Sequence, residues 1–195
     1  MDFRLTYEGV LSPTSQRNTR AKHKHEIRKV FHPQLKRLWA EHPVLRNKKT
    51  DGPGIDEPEL RVDVLARRFQ LGAYNFVPLV TQDFDIHCNI DVLLLRPEPP
   101  GGLIGAGDLD NRIKTLFDAF RRPTNMGEVG PYDEPEENER PFYCLLEDDV
   151  LVTKISVQGD MLLEAIDGRY DKNMARLVIS VSLRPYVATW TNIGL

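Results

Sequence analysis

"DIHCNIDVLLLRPEPPGGLIGAGDLDNRIKTLFDAF", residues 85–120, holds the two patterns from which the fold can be read. Residues 85–96 end in the unbroken apolar run Val92, Leu93, Leu94, Leu95, which suits a well-covered strand. Residues 97–107 are rich in proline and glycine, continue neither element, and read as a loop. From Asp108 onward, Ile113, Leu116, Phe117 and Phe120 recur at i, i+3, i+4 and i+7, the buried stripe of a helix. Gly107 leaves the backbone free to turn, and Asp108 or Asp110 can accept hydrogen bonds from the first N–H groups of that helix.

The same helix gathers charge. At about 100° per residue, Asp110, Lys114 and Asp118 form a second stripe beside the apolar one, continuing to Arg121. An exposed helix with a cap and ion pairs explains the stripe cheaply, each pair contributing about 0.3–0.5 kcal/mol. That explanation accounts for one aspartate at the helix start, whereas Asp108 and Asp110 repel each other unless water screens them or a cation binds them. "CLLEDDV", residues 144–150, adds Glu147, Asp148 and Asp149 where a strand is predicted to begin, a place β-propensity disfavours for aspartate. If that strand lies beside the helix start, Asp148 or Asp149 meets Asp108 and Asp110. Three carboxylates then converge with Lys114 one turn away. Hard oxygen ligands with open positions suit Mg²⁺, with Mn²⁺ as a substitute. Such a site would serve attack of water on a phosphodiester, with Lys114 placing the water or neutralising developing charge.

Outside this block, "DFRLTYEGVL" alternates as a half-buried strand. From His23 to about Glu41, Ile27, Val30, Phe31, Leu35, Leu38 and Trp39 recur at helical spacing, and Pro33 predicts a kink or two short helices. Further strands are expected at Arg61–Phe69, Asn75–Thr81, 151–164 and 174–186, with a polar, mobile insertion at 121–141. The simplest arrangement is a single domain over residues 1–195, α+β, with one mixed sheet and helices packed on one face. No repeat and no second core is visible.

Composition narrows the function. The chain has 195 residues, 41% hydrophobic and 28% charged, values of a globular domain with a real core. No run reaches membrane-spanning length, and the acidic, alternating N-terminus is unlike a secretory signal, so a cytoplasmic protein is expected. Cys88 and Cys144 have no metal-type spacing and read as free thiols. Net charge is −3, yet residues 17–49 alone carry +9, from eleven Lys and Arg against Glu26 and Glu41, leaving −12 for the remainder. Residues 128–149 hold nine acids and one base. A basic segment on an acidic body suggests a polyanion partner, with Arg17, Arg20, Lys22, Lys24, Arg28, Lys29, Lys36 and Arg37 as candidate DNA contacts. His23 and His25 are i, i+2 and do not converge on a helix, so they belong to that segment rather than to a metal site. "DGPG" at 51–54 is turn chemistry, since no phosphate-loop helix follows it. Trp39 is expected in the core or a dimer contact, and Trp190 as a packed C-terminal residue.

"DLDNRIKTLFDAF" followed by "LEDDVLVTKISV" resembles the signature of the RusA-like Holliday junction resolvases, small metal-dependent nucleases of bacteria and their phages. Asp108, Asp110, Asn111, Lys114, Asp118, Asp148 and Asp149 match that pattern in place. The resemblance implies Asp108, Asp110 and Asp149 as catalytic carboxylates, Lys114 as the catalytic lysine, and Mg²⁺ as the cofactor, with Asp108, Asp110, Asp149 and Asp148 as its ligands. It further implies a homodimer that binds four-way DNA junctions and nicks paired strands, leaving 5′-phosphate and 3′-hydroxyl ends. Three features depart from the family pattern. "GLIGAG" stands where arginines often precede the first block, Val150 and Leu151 replace polar residues after the second, and an acidic insertion separates the two. Two other classes fit less well: a branched-DNA-binding protein of this fold with weak catalysis, and a metal-dependent sugar transferase using an Asp-x-Asp motif. Intact catalytic positions oppose the first, and the missing nucleotide-binding βαβ order opposes the second.

Overall fold

The apolar run at 85–96 is a strand and the charged stripe at 108–120 a helix, as their periodicities predict. The structure, a computed structural model, describes residues 1–13, 20–50, 57–98, 108–168, 171–189 and 192, and for Phe84 and Asp108 the backbone alone. Arg17, the glycine-rich run at 99–107, the "DGPG" turn and Trp190 lie outside the described residues. In chain order the elements are β1 (Asp2–Val10), α1 (Ala21–Glu41), α2 (Arg61–Arg68), β2 (Gln70–Leu71) and β3 (Tyr74–Val80). After them come β4 (Ile86–Arg96), α3 (Asp108–Phe120), β5 (Phe142–Leu146), β6 (Val152–Met161) and β7 (Met174–Pro185).

The protein is mixed α+β, with two mixed sheets where the sequence suggested one. The larger runs β1-β7-β4-β6, antiparallel except for the parallel pair β4 and β6. Its register aligns Leu5 with Ile179, Ile90 with Val181 and Leu94 with Leu177, so one face is continuous core and the other is polar. The smaller runs β2-β3-β5, with β3 and β5 parallel. β3 and β5 are buried almost throughout, so neither suits an extension of a sheet whose second face meets water. Helix α1 touches both sheets, stacking Phe31 near Tyr7 of β1 and His32 and Trp39 against Phe142 and Tyr143 of β5.

Two local readings are corrected. Residues 61–68 form helix α2, because Leu65 and Phe69 are buried one turn apart rather than in alternation. Asp63 in its first turn and Arg67 and Arg68 in its last complement the helix dipole. Helix α1 runs through Pro33 without a break. Ile27, Arg28, Phe31 and His32 before the proline and Leu35 and Trp39 after it are all buried, and that packing outweighs the cost of about 3 kcal/mol for an interior proline.

The segment at 121–141 is packed against α1. It forms 3₁₀ turns at Met126–Glu128 and Glu137–Glu139. Lys29 Nζ pairs with Glu136 at 2.5 Å and with the buried Glu139 at 3.0 Å, and Lys36 donates to the Asn138 carbonyl at 2.7 Å. Gly130 has φ of +75°, and a Cβ there would sit 2.9 Å from the Lys22 backbone, so only glycine allows so close an approach. His32 locks the cover to the core, its Nδ1 accepting from the Tyr143 N–H at 2.9 Å while Nε2 donates to the Asn138 carbonyl at 3.0 Å.

His25 is fully buried among Tyr74, Tyr132 and Phe142. Burial, then the charges of Arg28 and Lys29, push its pKa down to about 3. The neutral ring therefore stabilises the fold fully above the unfolded pKa of 6.5, and this contribution is lost as pH falls from there toward 3. The expected loss is about 2 kcal/mol between pH 7.5 and 5, and His32, also lowered by burial, acts in the same direction. Urea titrations at the two pH values should show this, with a shallower dependence in His25→Gln. An unchanged dependence in the variant would rule out the role of His25.

Candidate functional site

Helix α3 is fastened along its buried side by polar groups. Arg112 is buried and donates to the Leu11 carbonyl and, at 3.1 Å, to Asn173 Oδ1. Thr115 Oγ1 lies 3.1 Å from the Ser12 carbonyl and 2.9 Å from that of Asn111. Leu116, Phe117, Ala119 and Phe120 pack into the core, while Ile113 lies only half-buried at the margin. At the C-terminal end, the guanidinium of Arg28 donates Nη2 to the Asp118 carbonyl at 2.7 Å and Nε to the Arg121 carbonyl at 3.0 Å. These acceptors belong to the last turn, where helix carbonyls lack intrahelical partners.

With the helix so held, Asp110 and Lys114 project from the opposite side and pair at 2.8 Å, both about two-thirds exposed. Asp118, two turns on from Asp110, pairs with Lys24 at 2.5 Å and lies 3.6 Å from Arg121 Nε. The second acidic block arrives on a 3₁₀ turn, Asp149–Leu151, rather than in the strand itself, which starts at Val152. Asp148 caps that turn, accepting from the Val150 N–H at 3.0 Å. This bond holds Asp148 below the usual carboxylate range, while partial burial and then a hydrogen bond shared with Asp148 raise Asp149 above it. Arg121 opposes the rise in Asp149 and Asp118 adds to it, so these three charges sit close together.

Asp110, Lys114, Asp118 and Asp149 line one open cleft of about 660 Å³, with Ile113, Phe117, Val150 and Ile155 as its apolar wall. The structure thus brings the two sequence blocks to one place. Asp108 begins the same helix, and its side chain lies outside the described residues. Asp110 and Asp149 offer hard oxygen donors of the kind that Mg²⁺ takes. Among the described residues, no three His, Cys, Asp or Glu side chains group closely enough to hold a metal ion, so a three-carboxylate site requires Asp108.

The candidate DNA-contact residues divide by environment. Arg28 is 2% exposed and turned into the protein. Lys24, Lys29 and Lys36 are engaged by Asp118, Glu136 with Glu139, and Asn138. Arg20 donates to the Pro13 carbonyl at 2.8 Å. Lys22 and Arg37 are well exposed in i, i+4 pairs with Glu26 and Glu41. Sequence reasoning missed Arg28 and Arg112 as supports of α3. The sequence carries little signal for either, since polar residues share their helical faces: Lys24, His25 and His32 beside Arg28, Asp108 and Thr115 beside Arg112. Cys88 and Cys144 are free and buried, and Trp39 is core. Among the described residues, no helix is long and apolar enough to cross a membrane. No family model, no curated protein and no solved structure matches this chain.

Proposed function

We propose that the protein is a metal-dependent, structure-selective DNA endonuclease of the RusA-like type, acting on four-way junctions or other branched DNA. The observation that carries this reading is the shared cleft of Asp110, Lys114 and Asp149, contributed by two blocks separated by 38 residues of chain between Asp110 and Asp149. Asp108, Asp110 and Asp149 would hold Mg²⁺, which when bound supplies an activated water and neutralises charge on the phosphorus. Lys114 keeps its ammonium at the cleft through the pair with Asp110, where it can meet a phosphate oxygen or the charge that develops on it. Asp148 holds the turn that aims Asp149.

The acidic segment bound along α1 shapes the DNA path. Lys29 is neutralised within the protein by Glu136 and Glu139, whereas Lys36 meets only an uncharged carbonyl, so on the outer surface of α1 phosphate contacts fall to Lys22, Lys36 and Arg37. A homodimer with two such clefts would suit a symmetric junction. The test is a cleavage panel of four-way junctions, forks, flaps and duplexes, with Mg²⁺, Mn²⁺ or EDTA. The expected result is nicking of a branched substrate in either metal and none in EDTA. Absence of metal-stimulated nicking on every branched substrate would refute the enzyme reading.

A further inference from the structure

Beside the cleft lies a smaller pocket of about 300 Å³, between the first turns of α1, the last turn of α3 and the 3₁₀ turn at Met126–Glu128. Lys24, Arg28 and Arg121 line it together with Asp118, Glu128 and Asn125. We propose that this pocket is a subsite for one phosphodiester of the bound nucleic acid, next to the one being cut. The assignment to nucleic acid rests on the nuclease reading.

The two carboxylates do not argue against an anion, because both are already occupied. Glu128 accepts from Arg121 Nη1 at 2.8 Å and Nη2 at 3.1 Å, and from the Thr124 N–H and hydroxyl at 3.1 and 3.3 Å. Four donors exhaust what a carboxylate can accept. Asp118 is shared between Lys24 and Arg121. Arg28 spends its donors on carbonyls and on His25, and these neutralise no charge. Within the pocket's own lining three cations therefore face two anions, leaving one positive charge in a half-enclosed space, while Asp149 lines only the adjoining cleft. The Lys24 ammonium is the group that can carry it to a ligand. Its side chain is only 14% exposed, and Asp118 is its one acceptor among the described residues, against three N–H donors.

The start of α1 adds to the same field. Arg20, before the first turn, is left-handed at φ 50°, gives no side-chain cap, and no acid occupies that turn. Among the described residues, the first turn of this 21-residue helix therefore holds no acid of its own where Ala21 lines the pocket. A phosphodiester carries the single negative charge this lining requires. Asp118 lines both the pocket and the cleft, so a strand with one phosphate at Asp110 and Asp149 can place another at Lys24 without leaving the surface.

Two measurements test the subsite with wild type, Lys24→Gln and Lys24→Arg. In the first, inorganic phosphate at millimolar concentration should raise the thermal midpoint of wild type and Lys24→Arg but not of Lys24→Gln. In the second, branched DNA carries a neutral methylphosphonate at one position at a time around the nick. One position should weaken wild-type binding about tenfold, the scale of a lost charge-assisted contact. That position should have no further effect in Lys24→Gln, whose salt slope should be shallower by about one. A purely structural Lys24–Asp118 pair would lower stability without erasing a position-specific effect. Equal phosphate shifts in wild type and Lys24→Gln would overturn the site. A Lys24-dependent phosphate shift in a protein that binds no branched DNA would uphold the pocket and overturn the nuclease reading. Binding and cutting with no Lys24-dependent methylphosphonate position would uphold the nuclease and overturn the subsite.

Discussion

Asp110→Asn is expected to reduce metal-stimulated nicking of branched DNA by at least about a hundredfold, the scale on which single groups stabilising transition-state charge act. Binding to the same DNA should persist or tighten. The substitution keeps the shape of the side chain and removes one negative charge from the surface that the proposed function brings against phosphates. Stability provides the control. Asp110 is exposed, and its pair with Lys114 is an i, i+4 surface contact worth about 0.3–0.5 kcal/mol, so the thermal midpoint should barely move. A large loss of rate with an unmoved midpoint separates a ligand from a helix-pairing residue. Wild-type nicking by Asp110→Asn would remove Asp110 from the site and leave the helix-surface explanation standing. Lys114→Met should also lower the rate, but with weaker DNA binding, because it deletes a cation.

The two acidic blocks were legible because their residue types are poor choices for the elements that carry them: paired aspartates at a helix start, and three consecutive acids before a strand. Periodicity also placed α3, β1 and β4. The errors share a cause. Residues 61–68 contain Val62, Val64 and alternating charge, which favour a strand locally, and burial of Leu65 against the core overrode that preference. β3 and β5 are continuous apolar runs, and such runs do not reveal which sheet a strand joins. The basic segment misled most. Eleven cations within 33 residues suggested a DNA arm, but charge in a sequence does not show which partner neutralises it. Here the acidic segment 128–139 neutralises Lys29 from more than a hundred residues away along the chain, and Lys24 and Arg28 turn toward α3.

Arg28 is where the two readings of that segment part most sharply. As a DNA contact, Arg28→Met would weaken binding and leave the fold alone. As the buried cap of α3, it should instead cost stability. The substitution preserves most of the apolar stem but strands the carbonyls of Asp118 and Arg121 and the Nδ1 of His25 in the interior. Buried acceptors without partners, together with a lost charge-assisted network, imply a loss of about 3–5 kcal/mol. For a chain of this size that is roughly a 10 °C drop in midpoint. Burial lowers the Arg28 pKa to about 10, still well above neutral pH, so the group stays a buried cation whose donors need those acceptors. Arg28→Lys keeps a charge but cannot span two carbonyls and an imidazole with one ammonium, so it should recover only part of the loss. Nicking should fall in both variants in step with the folded fraction, and return when the assay is run well below their midpoints. Normal stability with weakened, less salt-sensitive DNA binding would instead place Arg28 on the DNA and remove the cap. The placing of Asp110 and Lys114 therefore depends on a residue that faces away from them, because the same helix that presents these side chains ends on the guanidinium of Arg28.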